Sequence, residues 1–337
     1  MRLNNIFLAI LFCLICHIGL LAQQKTIGKL VAEDAAFYEL IDANAEIEVL
    51  ADGFTWTEGP VWNKKEDFIL FSDVPENTIY KWSEKDSLSI FLKPSGYTGI
   101  LPYSSEPGSN GLLINTDGEL VACEHGDRRV TIMPMDGTGG KFTLADNWEG
   151  KRFNSPNDVV QASNGTYYFT DPPYGMPGRE NSAIREIDAH GVYMIASDGS
   201  VEMVVSNLTR PNGITLSPDG KKLYVAQSDP NAAFIMEYSV QANGSLDEGK
   251  LFFDATPLAK SGLKGLPDGI KVDRNGTIFS TGPGGVLVIS KTGKLLGRIE
   301  TGVPTANCNW GEDGSVLYIT ADMYLARIQT KTIGFGF

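Results

Sequence analysis

Six residues with oxygen-bearing side chains recur at comparable places along the chain: Glu58, Asn110, Asn157, Asn212, Asp268 and Asn307. Each heads a short apolar run. In four of the six a turn glycine follows eight residues later, from Asn110 to Gly118, Asn157 to Gly165, Asn212 to Gly220 and Asp268 to Gly276. Asn307 has its glycine, Gly314, seven residues on, and Glu58 heads a looser copy without one. Taken singly, Asn-Gly, Asn-Asp and Asp-Gly pairs are ordinary turn entries. The shared offset is what argues for a common role. Carboxylates and amide carbonyls with no His or Cys among them suit a hard cation, and Ca²⁺ accepts roughly six to eight oxygens in a tolerant geometry. Two carboxylates would balance one divalent charge. Mg²⁺ and Mn²⁺ fit the same ligand type, because residue type does not define cavity size.

The elements that must position these heads can be read from one repeat. Asn157 to Asp171, NDVVQASNGTYYFTD, has a polar head, an apolar run, an Asn164-Gly165 pair suited to a tight two-residue hairpin turn, and an alternating run leading back. Successive heads are 52, 47, 55, 56 and 39 residues apart, the scale of one four-stranded propeller blade or somewhat more. This predicts an all-β, six-bladed β-propeller as one domain over 47–337, with the heads converging on a metal site on the central axis. The chain has 337 residues, 42% hydrophobic, with 37 glycines, so it has core and turns enough for such a fold and is not disordered. Its net charge of −13 argues against nucleic-acid or anionic-membrane partners, which select basic patches.

Outside the repeats, Arg2 and the apolar run IFLAILFCLICHIGLLA read as a secretory signal over 1–22, cleaved after Ala22. The mature protein is then expected to be exported, periplasmic or secreted, with no stable membrane insertion. A segment over 23–46 carries one helical pattern, Glu33 to Ile41, expected to cap the outside of a blade. Of the four cysteines only Cys123 and Cys308 follow the leader; an oxidising compartment would allow them to pair, whereas their place in strand-like repeats of different blades favours buried free thiols. The long connections over 93–109 and 171–188, rich in Gly, Pro, Tyr and Ser, are expected to form the rim of a pocket.

The motifs TEGPVW at 57–62, CEHGDRRV at 123–130, RFNSPNDVV at 152–160, TDPPYG at 170–175, RPNGITLSPDG at 210–220 and LPDGIKVD at 266–273 together resemble the SMP-30/gluconolactonase family of six-bladed propeller hydrolases. Relatives of that family include the paraoxonases and squid-type diisopropylfluorophosphatase. The likeness covers almost the whole mature chain. It implies one catalytic divalent cation, usually Ca²⁺, held by Glu58, Asn157, Asn212 and Asp268. The repeat alone does not exclude Asn110 and Asn307, and the motif RFNSPND makes Asn154 a rival to Asn157. The offset to Gly165 favours Asn157.

The activity implied is opening of a sugar lactone, gluconolactonase-like, with the cation polarising the carbonyl and water attacking it. Another divalent cation such as Mg²⁺, Mn²⁺ or Zn²⁺ is the alternative to Ca²⁺, although no His or Cys spacing of a zinc site is present. Three residues are candidate proton acceptors. The resemblance suggests Asp268 as ligand and base, yet a carboxylate on a cation loses proton affinity. Asp229, in VAQSDP, and His125, in CEHGDRR, are the others. Arg152 resembles the arginine that family members hold over the pocket for substrate oxygens, and Asn110 and Tyr174 are candidates for the pocket wall. Of Arg128 and Arg129, one is a candidate for substrate and the other a solvated charge. A non-hydrolytic ligand-binding propeller with structural Ca²⁺, and an esterase or phosphotriesterase on the same site, are the competing functions.

Overall fold

The apolar runs form antiparallel strands, and six sheets of them surround one axis. The computed structural model describes residues 25–136 and 138–337, and the expected signal peptide over 1–22 lies outside the described residues. Blade 1 is Thr57–Asn63, Phe68–Asp73, Thr78–Ser83 and Ser87–Leu92; blade 2 is Ser109–Ile114, Leu120–Glu124, Arg129–Met133 and Phe142–Ala145. Blade 3 runs from Val159–Gln161 through Tyr167–Asp171 and Gly191–Ile195 to Val201–Val205, and blade 4 from Pro211–Leu216 through Lys222–Asp229 and Ala232–Ser239 to Lys250–Asp254. Blade 5 comprises Ile270–Val272, Ile278–Gly282, Gly285–Ile289 and Leu295–Glu300. Blade 6 comprises Asn307–Gly311, Val316–Ala321 and Tyr324–Gln329, and its fourth strand, Ile47–Asp52, comes from the start of the chain. The first strand of each blade packs beside the first strand of the next, around to blade 1 again, so these six strands line the axis. The expected six-bladed β-propeller is the fold.

Both faces of every blade are covered, which is why the strands read as nearly continuous apolar runs. Among the described residues, six buried hydrophobic clusters each straddle one pair of neighbouring blades. Phe68, Leu70 and Ile79 of blade 1 meet Leu112 and Leu120 of blade 2, for instance, and Trp62 and Phe71 meet Tyr318 of blade 6. Each fully buried side chain of this size contributes about 1.5–3 kcal/mol through removal of apolar surface from water. The core is thus a ring of interfaces, and each head is held at the inner edge of two of them. Cys123 and Cys308 are free and buried, in the clusters of blades 2–3 and 5–6.

The N-terminal segment is less helical than its pattern suggests. Only Phe37–Leu40 is α-helix, because Glu33 and Asp34 still donate their backbone N–H groups to the Leu296 carbonyl, at 2.8 and 2.9 Å, and Ile41 is already extended. Thr26–Ile27 extends blade 6 and Lys29–Ala32 extends blade 5, so the segment adds edge strands as well as burying Phe37 and Ile41 between the two blades.

The hairpin turns also differ from the two-residue expectation. Asn115 pairs with Glu119, Ala162 with Thr166 and Asp273 with Thr277, each enclosing three residues, and Ser217 pairs with Lys222 around four. Of Asn164 and Gly165 only the glycine has positive φ, 87°, whereas the two-residue turn suited to this pair needs positive φ at both. The pair therefore closes a type I turn with glycine in the left-handed position. The constant offset of eight survives because that glycine has the same place in each loop.

Candidate functional site

Each head stands at the start of the innermost strand of its blade, on one end of the axis. A one-residue bulge lies there: the register slips between Glu58 and Val61, between Ser109 and Leu112, and between Pro211 and Ile214. Blade 5 repeats the pattern, with Asp268 N–H donating to the Thr281 carbonyl and Thr281 N–H to that of Gly269, at 3.2 and 2.8 Å. An extra residue re-aims a side chain out of the pleat, and here it turns the heads toward the axis. The glycine after the head has its own reason. A Cβ at Gly59 would overlap the Asn110 carbonyl, one at Gly111 the Asn157 carbonyl and one at Gly213 the Asp268 carbonyl, so each blade's glycine admits the next blade's head. Gly111 N–H donates to Asn157 O at 2.7 Å. Buried hydroxyls complete the ring: Ser72 donates to Asn110 O, Thr170 to Asn212 O and Thr281 to Ala306 O, at 2.9, 2.7 and 2.8 Å.

Above the heads lies a cavity of about 490 Å³. Glu58, Asn110, Asn157, Asn212 and Asp268 line its floor, with Ser228; Glu106, Tyr174, Arg179 and Arg210 line its sides, with Trp56, Leu266, Pro304 and Thr305. Asn307 stands beside them, donating Nδ2–H to Glu58 Oε2 at 3.3 Å. Burial pushes Glu58 up to about 8, reinforced by Asp158 and Glu106. Asp268 is held well above the ordinary carboxylate range, first by burial and then by Glu58, Asp158 and Glu106. Neighbouring carboxylates do have cations: Asp158 faces Lys271 Nζ at 3.8 Å and Glu106 receives Arg179 Nη2 at 2.7 Å. Neither Glu58 nor Asp268 has a salt-bridge partner among the described residues. Asn110 Oδ1, Asp268 Oδ1 and Tyr174 Oη are buried without a hydrogen-bond partner. Buried polar atoms are normally satisfied, so three orphans on one cavity mark a place for a ligand. Two uncompensated carboxylates amid amide oxygens fit a divalent cation. Among the described residues no group of three or more His, Cys, Asp or Glu side chains is placed to hold a metal, so any site here depends on the amides.

Residues 56–322 match the family described as SMP-30/Gluconolactonase/LRE-like region. The chain belongs to this family. It is 40% identical over 322 residues to a gluconolactonase of Zymomonas mobilis, covering 92% of this chain and 88% of the relative. A lactonase of Staphylococcus aureus is 29% identical over 274 residues, 77% of this chain and 74% of its own. Among solved structures, a gluconolactonase of Xanthomonas campestris superposes with a TM-score of 0.78 at 30% identity, covering 91% of this chain and 97% of that one.

Of the residues singled out in this family member's sequence, Glu58, Asn110, Asn157, Tyr174, Asn212 and Asp268 line the cavity together. Asn154 does not: it is buried, and its Nδ2 donates to the carbonyls of Asp171 and Ala189. Three other candidates also lie away from the cavity. His125 is fully buried, its Nδ1–H donating to the Glu106 carbonyl at 3.2 Å, and burial pushes its pKa down to about 4. Arg152 is exposed at a separate surface hollow beside Tyr97 and Tyr103, with Nη2 donating to Asp127 O at 2.6 Å. Asp229 accepts Thr209 Oγ1–H at 2.8 Å and Asn231 N–H at 2.9 Å, and these bonds hold its proton affinity low. Arg128 and Arg129 are likewise occupied, the first by the carbonyls of Phe153, Ile184 and Arg152, the second by Glu124 and Asp127. Glu106, Arg179 and Arg210 escape a reading of repeats, because they stand on connections that have no periodicity. The connections of Glu106 and Arg179 are long in the sequence, whereas Arg210 stands in the motif RPNGITLSPDG, two residues before the Asn212 head.

Proposed function

We propose that this chain is an exported, divalent-cation-dependent lactonase that opens a sugar lactone of the gluconolactone type. One observation carries the reading: a cavity at the head end of the propeller whose buried oxygens, Asn110 Oδ1, Asp268 Oδ1 and Tyr174 Oη, have no protein partner beside two uncompensated carboxylates. The relatives' names, gluconolactonase and lactonase, supply the substrate class. Glu58, Asn157, Asn212 and Asp268 would hold the cation, Ca²⁺ being the hard ion their oxygens suit best. Bound there, it would polarise a lactone carbonyl oxygen and offset the charge that develops on it.

The rest of the wall serves the substrate. Tyr174 and Asn110 offer a hydroxyl and an amide to sugar hydroxyls, and Arg210 and Arg179 add donors at the sides. Burial raises the Tyr174 hydroxyl above its ordinary range, so it stays a donor at neutral pH. Trp56, Leu266 and Pro304 are apolar walls that limit water around the ring. The leader over 1–22 supports export. The test is hydrolysis of glucono-1,5-lactone, a γ-lactone, an aryl ester and a phosphotriester by the mature protein, with and without chelator. Lactone turnover lost with chelator and restored by Ca²⁺ is expected. Absence of turnover across the panel, with Ca²⁺ still stabilising the fold, would overturn the reading in favour of a binding propeller.

A further inference from the structure

Three carboxylates line the cavity: Glu58, Asp268 and Glu106. In the reading above, on which this inference rests, the first two are committed to a cation, and a carboxylate so held loses its affinity for a proton. Glu106 is the third. It comes from the connection between blades 1 and 2, outside the repeat, and its side chain is 23% exposed. Oε1 receives Arg179 Nη2 at 2.7 Å, and no protein donor among the described residues reaches Oε2. The backbone beneath it is fixed on two sides: His125 Nδ1–H donates to the Glu106 carbonyl, and Gly126 N–H to that of Pro107 at 3.0 Å. Gly175, on the connection that carries Tyr174 and Arg179, packs directly on the His125 ring, where a Cβ would not fit. His125 therefore ties both connections together, as a positioning residue behind the cavity wall.

We propose that Glu106 is the general base of lactone opening, taking a proton from the attacking water at the cavity wall. One O–H bond of water breaks, and its proton passes to a Glu106 carboxylate oxygen. The oxygen of the water forms a bond to the lactone carbonyl carbon, and the carbonyl π pair moves onto the carbonyl oxygen. On collapse the ring C–O bond breaks, and the ring oxygen leaves with the bonding pair and takes the proton back from Glu106. One water is added across the ester and no oxidant or reductant is needed. Arg179 steers the carboxylate and holds it ionised, partly offsetting the burial that favours its protonated form. The charged or titratable groups facing Glu106 are Arg179 from the connection between the second and third strands of blade 3, His125 from blade 2, Glu58 from blade 1 and Asp268 from blade 5.

The test compares the full mature chain with Glu106→Gln and Arg179→Met, on whichever lactone the wild type opens. Loss of a general base typically slows turnover about 10²- to 10⁴-fold, so kcat of Glu106→Gln is expected to fall in that range with the acid limb of its pH–rate profile gone. Ca²⁺ binding, followed by calorimetry and by thermal shift, should match the wild type. Arg179→Met removes the cation that favours the carboxylate, so its acid limb should move to higher pH. Glu106→Gln with wild-type kcat and an unchanged acid limb would overturn the assignment while leaving the lactonase reading intact. Loss of Ca²⁺ binding in Glu106→Gln would overturn it too, by making Glu106 part of the cation's surroundings. A wild type that opens no lactone would overturn both.

Discussion

In the presence of chelator, Glu58→Gln is expected to make the protein more stable. Glu58 is 2% exposed, and its Oε2 accepts two N–H groups, from Gly59 at 3.1 Å and Asn307 at 3.3 Å. A glutamine carbonyl accepts both equally well, so the substitution removes charge and little else. In the folded chain burial, with Asp158 and Glu106 nearby, lifts the Glu58 pKa from 4.5 to about 8. Between those values the folded state binds the proton that the unfolded chain releases. Stability from this group is therefore intact below pH 4.5, falls as pH rises toward 8, and is level above it. At about 1.4 kcal/mol per pH unit, the interval from 4.5 to about 8 amounts to roughly 5 kcal/mol, of which roughly 3 kcal/mol is already lost at pH 7. Glutamine escapes that loss. Removing the Glu58 charge also eases Asp268, which that charge burdens, in the same direction. Urea unfolding at pH 5, 7 and 8 measures it: equal stabilities near pH 5, and Glu58→Gln ahead by roughly 3 kcal/mol at pH 7. Adding Ca²⁺ should reverse the order, since a ligand at about a thousand times its Kd stabilises the form that binds it by about 4.1 kcal/mol. A variant less stable than wild type in chelator at pH 7, or stabilised equally by Ca²⁺, would refute the reasoning.

Gly213→Ala places a methyl group against the Asp268 carbonyl oxygen without any change of φ class. Overpacking of this kind costs about 1–3 kcal/mol or more, and the blade shift that relieves it separates Asn212 from Asp268. A lower urea midpoint together with lost Ca²⁺ stabilisation is expected, and a wild-type response to Ca²⁺ would show that the close approach does not set the site. His125→Asn should lower stability by about 1–3 kcal/mol through the unsatisfied Glu106 carbonyl. Because burial keeps this imidazole neutral above about pH 4, the limbs of the pH–rate profile between pH 5 and 9 should stay where they are even if kcat falls. Disappearance of a limb near pH 6–7 would make His125 a titrating participant.

The repeat was legible because a propeller must present one residue of each blade to the axis at one distance from one turn. Asn110, Asn157, Asn212 and Asp268 show that constraint as a shared offset to glycine. What the offset could not show was the bulge at the heads of blades 1, 2 and 4, since a bulge changes the partner strand's register and leaves the local pattern alone. The head-following glycine was visible as a turn signal, and its actual burden, clearance for the next blade's carbonyl, is a long-range fact. In the sequence, His125 and Asp229 stand out by residue type after a strand and Arg152 by its resemblance to a family arginine. Side-chain direction decided otherwise, sending His125 under the wall, Arg152 to a separate hollow and Asp229 into its own loop. Glu106, Arg179 and Arg210 reach the cavity from connections whose course depends on the ion pairs Glu106–Arg179 and Glu180–Arg210, at 2.7 Å each. Such pairings between distant loops leave no trace in spacing.

The strand Ile47–Asp52 is synthesised long before Asn307–Gly311, Val316–Ala321 and Tyr324–Gln329 of blade 6, and Asp52 ends up beside Tyr324. Lys29–Ala32 waits in the same way for Leu295–Glu300. A growing chain that has passed blade 5 already contains Glu58, Asn157, Asn212 and Asp268, yet it lacks the blade that closes the ring between blades 5 and 1. Pairings so distant in sequence are slow to form, because loop closure must precede any contact that rewards it. The ring around the centre is therefore closed late, when the last blade to be made takes up Ile47–Asp52 from the start of the chain.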